Sequence, residues 1–184
     1  EEVVQRLRQA GMALVDRDPA WPAGAAEAGL GAIQQAGLAA LHGEAWRAGP
    51  ELIDPDLGAQ IDQGLGLGGP DVAAALLLSE RIALAAARFF ASGVDAIIGP
   101  TTPCPAWPVE KLGPETIAGV PVGPRGHAVF TPLFNHARTP AISIPCGFDP
   151  AGLPLGLQTV TARGRDRRLL ALAGRIEAIL AERS

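Results

Sequence analysis

Tyrosine is absent from this chain of 184 residues, and aromatic residues make up only 4% of it. Proteins that bind single-stranded nucleic acid stack the bases on aromatic side chains, and this chain has little material for such a surface. Basic residues are also outnumbered, because 15 lysines and arginines stand against 19 acidic residues, for a net charge of -4. That sign opposes the neutralisation of phosphates. We therefore expect no nucleic-acid partner.

Long hydrophobic runs are lacking as well. The apolar stretch at residues 72–78 is among the longest, and it is far shorter than the roughly 20 residues that a membrane-spanning helix needs. Residues 1–11 form an acidic amphipathic segment without the pattern of a signal peptide. We expect no membrane partner and a cytoplasmic location.

Cysteine is scarce, with only Cys104 and Cys146 in the chain. They lie too far apart in sequence for a CxxC redox or zinc motif. We interpret both as reduced thiols, and we expect neither a metal ion nor a cofactor.

The residues that are present indicate one domain, since 48% of the chain is hydrophobic. Residues 1–92 are predicted to be mainly helical. A first helix ends near Gly11 and leads into a short strand at residues 12–16, and further helices are predicted at residues 23–46, after Asp54-Pro55, and at residues 71–91.

Residues 93–184 have a different character. "VDAIIG" is a short β-branched run that predicts a strand, and seven prolines between residues 100 and 124 predict an irregular but stiff loop. "VFTPLFNHA" fits a short helix, and "PAISIPCGF" and "LPLGLQTVTA" fit two antiparallel strands joined by a type I turn at residues 149–152. An amphipathic helix is predicted from about Asp166.

Three stretches carry a family resemblance: "DAIIGPTTPCPAWP", "FTPLFNHARTPAISIPCGFDPAGLPLGLQTV" and "RDRRLLALAGRIEAIL". In order and spacing they resemble the C-terminal part of the amidase signature family. The resemblance implies an α/β fold with α/β/α layers around a mixed sheet. It also implies hydrolysis of a carboxamide to carboxylate and ammonia or amine, by a Ser nucleophile, a second Ser and a Lys base on an upstream Gly/Ser-rich segment.

That catalytic segment is not found in these residues. The serines are Ser79, Ser92, Ser143 and Ser184, none adjacent to another, and the sole lysine, Lys111, lies in the proline-rich loop. We therefore expect residues 1–184 to be the C-terminal portion of an amidase domain, without catalytic residues and inactive in isolation. A non-catalytic complementing subunit or binding module is the alternative. The expected partners are a small-molecule amide substrate and the missing N-terminal catalytic segment, with self-association through an open sheet edge.

The loop after the "AIIG" strand is the candidate wall of a substrate pocket. Thr101 and Thr102 follow the strand end, where ligands collect in open α/β sheets. Pro103 and Trp107 would supply a stiff apolar surface. The alternative for both threonines is that their hydroxyls satisfy loop amides. Asn135 resembles the family's Asn before the "PAIS" strand, where it would hydrogen-bond loop backbone or contact substrate.

The cysteines raise the question of thiol chemistry. Cys104 with His127 or His136 and Asn135 is conceivable as a thiol-based catalytic set. Packing is the better interpretation for both Cys104 and Cys146, because such cysteines behave as small hydrophobes.

The resemblance also bears on glutamine. Glutamine-dependent amidotransferase subunits of the family carry an acidic residue near the start of "VFTPLFN", where this chain has Ala128. A tRNA-linked amidotransferase role is thereby disfavoured.

Overall fold

The structure is a computed structural model that describes residues 1–25, 27–123 and 125–182. Its helices are α1 Glu2–Gln9, α2 Glu27–Ala48, α3 Pro55–Leu65, α4 Gly69–Ala91, α5 Thr131–Ala137 and α6 Asp166–Ala181, with one 3-10 turn at Pro50–Leu52. Its strands are β1 Ala96–Pro100, β2 Thr116–Ile117, β3 Val120–Pro121, β4 Ala141–Phe148 and β5 Pro154–Thr161. Among the described residues, no helix combines the length and apolar character needed to cross a bilayer.

The chain divides into two compact units, and residues 22–82 form the helical one. Here α2 packs on α3 through glycines. A Cβ added at Gly58 would lie within 2.6 Å of three atoms of the Trp46 ring, so this position admits only a glycine at the observed spacing. The Trp46 indole N–H also donates to Asp62 Oδ1 at 2.8 Å. The Trp46 ring packed against Gly58 and its hydrogen bond to Asp62 therefore hold these two helices together.

The other unit comprises Glu1–Trp21 and the described residues from Ala83 onward. Its sheet has the order β1-β5-β4, with both neighbouring pairs antiparallel. The predicted turn between β4 and β5 is confirmed, because the Gly152 N–H donates to the Asp149 carbonyl at 3.0 Å. The Asp149 carboxylate also accepts the N–H groups of Ala151 and Leu153, at 2.9 and 2.8 Å.

Helices cover both faces of this sheet. On one face, Leu7 of α1 and Ile176 of α6 pack against Ile144 and Leu157. On the other face, Phe90 of α4 and Phe134 of α5 pack against Val160. These contacts produce the predicted α/β/α layers, and the three strands of the sheet pair antiparallel.

Both edge strands carry a proline that faces away from β5. Ladder bonds alternate along a strand, and the Thr101 N–H points to Gly156 of β5, so the nitrogen of Pro100 faces outward. Just before β4, the Pro140 carbonyl accepts the Thr161 N–H of β5 at 3.2 Å. By the same alternation the nitrogen of Pro145 faces away from β5. These are positions where a proline removes no ladder bond.

The strand predicted at residues 12–16 is wrong. Residues 12–20 have no regular secondary structure. The Met12 N–H donates to the Leu7 carbonyl at 3.0 Å, and the Met12 and Leu14 side chains pack against the cluster around Leu7. Met12 and Leu14 thus pack on the helix-covered side of the core, whereas Val15 is exposed, and the segment pairs with no strand.

The proline-rich loop is less irregular than predicted, because β2 and β3 form a small hairpin within it. Its two turn residues, Ala118 and Gly119, both have positive φ, at 51° and 78°. A two-residue hairpin turn with this backbone favours Asn-Gly, so Ala118 occupies a strained position.

The end of α6 is held by a side chain from α1. The Arg6 guanidinium donates to the carbonyls of Ile179 at 2.8 Å and Leu180 at 3.2 Å, and also to the Glu182 carbonyl. The last carbonyls of a helix have no partner within the helix, and a cation there complements the helix dipole. Arg6 therefore joins the two ends of the chain.

Candidate substrate site

The candidate loop leaves the sheet at Thr101 under close constraint. The Thr101 N–H donates to the Gly156 carbonyl at 2.9 Å, and Thr101 Oγ1 lies 2.7 Å from Ser143 Oγ. A Cβ added at Gly156 would lie 2.5 Å from the Ser143 hydroxyl and 2.8 Å from that of Thr101. The two hydroxyls therefore meet directly above a glycine and tie all three strands together at the start of the loop.

Thr102 is engaged within the loop itself. Its hydroxyl donates to the Cys104 carbonyl at 2.9 Å. This bond supports the interpretation that Thr102 satisfies loop backbone. Pro103, between them, is half-buried.

Trp107 is fixed at two points. Its indole N–H donates to the Lys111 carbonyl at 3.0 Å, and its ring centroid lies 4.7 Å from that of His127. Lys111 in turn forms an ion pair with Glu115 at 2.9 Å, and this hydrogen-bonded cation lowers the pKa of the Glu115 carboxyl. The half-buried Trp107 is thus held by its own loop.

Asn135 belongs to a different part of the unit. It is exposed on α5, and its neighbour Phe134 packs against Val160, four residues along β5 from Gly156. At about 3.3 Å per strand residue, that is a separation of about 13 Å along β5. The structure places Thr101, Thr102 and Trp107 in one loop and Asn135 on helix α5.

The two cysteines are free and half-buried. Cys146 packs against the sheet cluster that contains Ile144, and burial raises the pKa of its thiol. A raised pKa keeps the thiol protonated and unreactive. The His127 imidazole, which the thiol-based alternative would assign to Cys104, faces the Trp107 ring.

Sequence reasoning missed Ser143, which bonds to Thr101, and its cross-strand neighbour Gln158. They lie directly opposite each other on β4 and β5, and Gly99 of β1 lies on the other side of Gln158. The Gln158 side chain is buried, with 6% of its residue surface exposed. The alternation of "PAISIPCGF" and "LPLGLQTV" could have placed both polar side chains on one face, but only with the register known.

The chain is similar in sequence to known amidases and amidotransferases. The Amidase family model matches residues 1–170. A subunit of the glutamyl-tRNA(Gln) amidotransferase of Mesorhizobium japonicum is 40% identical over 88 residues, which cover 48% of this chain and 16% of that protein. The corresponding protein of Xanthobacter autotrophicus is 42% identical over 91 residues, covering 49% and 17%. The matched region is thus a small part of these relatives.

Solved structures share the fold over nearly the whole chain. A crystal structure of an amidase superposes with a TM-score of 0.81 at 28% identity, covering 96% of this chain and 41% of that one. A bacterial aryl acylamidase of the amidase signature family superposes with a TM-score of 0.78 at 20% identity, covering 100% and 41%. The predicted α/β fold of the amidase signature type is confirmed. With 170 of its 184 residues matched by the family model and its fold shared with these enzymes, the chain belongs to the amidase signature family.

Proposed function

We propose that this chain forms part of an amidase and supplies a wall of its substrate pocket. The reaction is hydrolysis of the C–N bond of a carboxamide to carboxylate and ammonia or amine. The observation that carries the proposal is the loop at Thr101, which leaves a strand end under the control of the Thr101–Ser143 hydrogen bond and is stiffened by prolines and by the anchored Trp107. Such loops at strand ends are where α/β folds bind ligands.

The nucleophile and base are proposed to come from outside these 184 residues. An acyl-transfer nucleophile needs an adjacent base, and oxyanion donors must await the developing charge. Ser143 is hydrogen-bonded to another hydroxyl, and Lys111 is paired with Glu115, so neither is arranged as half of a nucleophile–base pair. In this proposal the chain binds and orients the amide, and a Gly/Ser-rich segment delivers the Ser, Ser and Lys.

The second candidate is a non-catalytic complementing subunit or binding module derived from an amidase. Both candidates account for the lack of paired serines within the 184 residues. The coding sequence upstream discriminates between the two, because an in-frame Gly/Ser-rich stretch with paired serines and a lysine belongs only to the first.

The experiment measures ammonia release from a panel of aliphatic and aromatic amides. We expect no turnover above background from the 184 residues alone, and turnover when the catalytic segment is added as a fusion or in trans. Turnover by the isolated chain that survives repurification and Lys111→Ala would overturn the assignment of catalysis to an outside segment. Failure of every reconstituted pair, with both parts folded, would favour the binding module.

Glutamine is proposed to be a poor substrate, because Ala128 stands where the family resemblance places an acidic residue in glutamine-dependent members. The named relatives are amidotransferase subunits, but they match about half of this chain. The reconstituted protein should release ammonia more slowly from glutamine than from simple amides. Ala128→Asp should raise the rate with glutamine relative to the rate with simple amides. Efficient glutamine hydrolysis by the unchanged chain would contradict this. The cytoplasmic location stays a prediction.

A further inference from the structure

The two edge strands of the sheet differ in how their faces are covered. On β4 the side chains alternate, because Ile142 and Ile144 pack against one core cluster while Ala141, Ser143 and Pro145 on the opposite face are exposed. Such alternation is typical of a strand that has one face in water. The pattern of β4 therefore fits the edge position that this strand occupies.

The pattern of β1 does not fit an edge. Its apolar side chains pack on both faces of the sheet, with Ile98 against the cluster that contains Leu7 and Ile97 against the cluster that contains Val160. All of its residues are nevertheless only half-buried or exposed. A strand that is apolar on both faces is typical of the interior of a sheet. β1 thus has the composition of a central strand and the position of an edge strand.

The outer side of β1 also carries free backbone groups. The Thr101 N–H bonds to Gly156 of β5, so by the alternation of the ladder the N–H groups of Ala96 and Ile98 face away from β5. The structure gives neither amide a backbone partner in any residue that it describes. An exposed apolar edge of this kind is a template for pairing with another strand.

The extent of the shared fold indicates where that other strand comes from. The amidase structure with 28% identity shares its fold with 96% of this chain, and the match covers 41% of that protein. About three-fifths of the related protein therefore lies outside the matched region. A sheet cut at this point exposes the strand that was next to the missing part, and that strand should be apolar on both faces.

We propose that β1 is the edge at which the rest of the amidase fold joins this chain, through a strand that pairs with Ala96 and Ile98 and carries apolar side chains on both faces. This deepens the proposed function by naming where the part with the catalytic segment docks, and it rests on that function for the identity of the partner. Because β1 runs directly into the loop at Thr101, a strand beside β1 also lies beside the candidate pocket wall. In the completed sheet β4 stays at the outer edge.

The first test is amide hydrogen exchange, measured by NMR on the isotopically labelled 184-residue chain with and without the polypeptide encoded in frame upstream of it. In the chain alone, the outward-facing amides of Ala96 and Ile98 on β1 and of Ala141 and Ser143 on β4 should all exchange rapidly. With the upstream polypeptide bound, exchange at Ala96 and Ile98 should slow at least about tenfold. Exchange at Ala141 and Ser143 should not change.

A matched pair of proline variants tests the same edges by affinity. Ala96→Pro removes an outward-facing donor at the first position of β1 and should weaken binding of the upstream polypeptide at least about fivefold, because a carbonyl of the added strand loses its partner. Ala141→Pro makes the same side-chain change at the first position of β4 and should leave the affinity unchanged. Urea unfolding of both isolated variants checks that each is folded. If Ala96→Pro does not fold, exchange in the unchanged chain decides alone.

Several results would overturn the proposal: unprotected β1 amides in the bound complex, protection of the β4 edge in their place, or equal affinities of the two folded proline variants. An upstream reading frame that encodes no further part of the amidase fold would also overturn it. So would protection of Ala96 and Ile98 in a dimer of the isolated chain that the upstream polypeptide does not displace, because the occupant would then be a second copy.

The same measurements separate this proposal from the proposed function. Amide hydrolysis by a complex that leaves the β1 amides unprotected would remove the docking edge and keep the function. Protection at β1 in a complex that hydrolyses no amide would remove the function and keep the docking edge.

Discussion

Gly156→Ala tests whether the hydroxyl pair at the start of the loop is as tightly packed as the structure indicates. The new methyl group would lie 2.5 Å from Ser143 Oγ and 2.8 Å from Thr101 Oγ1, both far inside van der Waals contact. The φ of Gly156 lies outside the left-handed region, so the backbone accepts alanine without strain. The effect is therefore steric, and it falls on the Thr101–Ser143 hydrogen bond.

The magnitude follows from three contributions. Overpacking costs about 1–3 kcal/mol, and loss of a hydrogen bond costs about 0.5–1.5 kcal/mol. Replacing glycine returns about 0.4–1 kcal/mol by restricting the unfolded chain. Because hydroxyl groups can rotate away, we expect a net loss of about 1–2 kcal/mol in the free energy of unfolding. Gly99→Ala, in open space on the neighbouring strand, should be neutral or slightly stabilising.

Urea unfolding of both single variants measures this difference directly. Two double variants test the steric cause of this loss. Combined with Gly156→Ala, Ser143→Ala removes the nearest oxygen and should restore much of the lost stability. Thr101→Val in the same background replaces the hydroxyl with a methyl group of similar size and should restore none. Equal stability of Gly156→Ala and Gly99→Ala would refute the reasoning. So would an absence of relief by Ser143→Ala.

Other variants test other features. Arg6→Gln should lower the free energy of unfolding by about 1–2 kcal/mol, since the last carbonyls of α6 lose a charged donor; unchanged urea unfolding would contradict that capping role. Ala118→Asn should stabilise the β2–β3 hairpin by about 0.5–1 kcal/mol, because asparagine tolerates the positive φ next to Gly119, and a lower melting temperature would argue against it. Burial raises the pKa of the Cys146 thiol, so the thiol's contribution to the free energy of unfolding is fully present below the ordinary thiol pKa of about 8.5 and is lost as the pH rises through the folded-state pKa. The alkaline loss of stability should therefore be smaller in Cys146→Ala. Identical pH profiles of stability in the two proteins would contradict a role for this thiol.

Elements built from local signals could be predicted from the sequence. Asp54 is an example, because its carboxylate accepts the N–H groups of Asp56 and Leu57 as an N-cap, and Pro55 follows at the first helical position. The Asp149 turn is another. In both cases the residues that cause the structure are within four positions of one another.

Features that depend on distant residues could not be predicted in the same way. The hydroxyl pair joins residues 42 positions apart, and β1 pairs with a strand about 60 positions away, for example Gly99 with Gln158. The hairpin β2–β3 has two residues in each strand, too few for an alternating pattern to emerge. Residues 12–16 have strand-like composition, but Met12 and Leu14 pack against the hydrophobic cluster around Leu7, and the segment pairs with no strand.

The outward-facing prolines control how far the sheet can grow. A strand added beside β1 finds amide donors at Ala96 and Ile98 and then reaches Pro100, which has none. A strand added beside β4 finds donors at Ala141 and Ser143 before it reaches Pro145. Any added strand, from a catalytic segment or from a second copy, thus lacks an amide donor at Pro100 or Pro145, and its ladder is complete only over the half of each edge away from Thr101. Assembly through these edges would leave the loop end of the sheet accessible to a ligand.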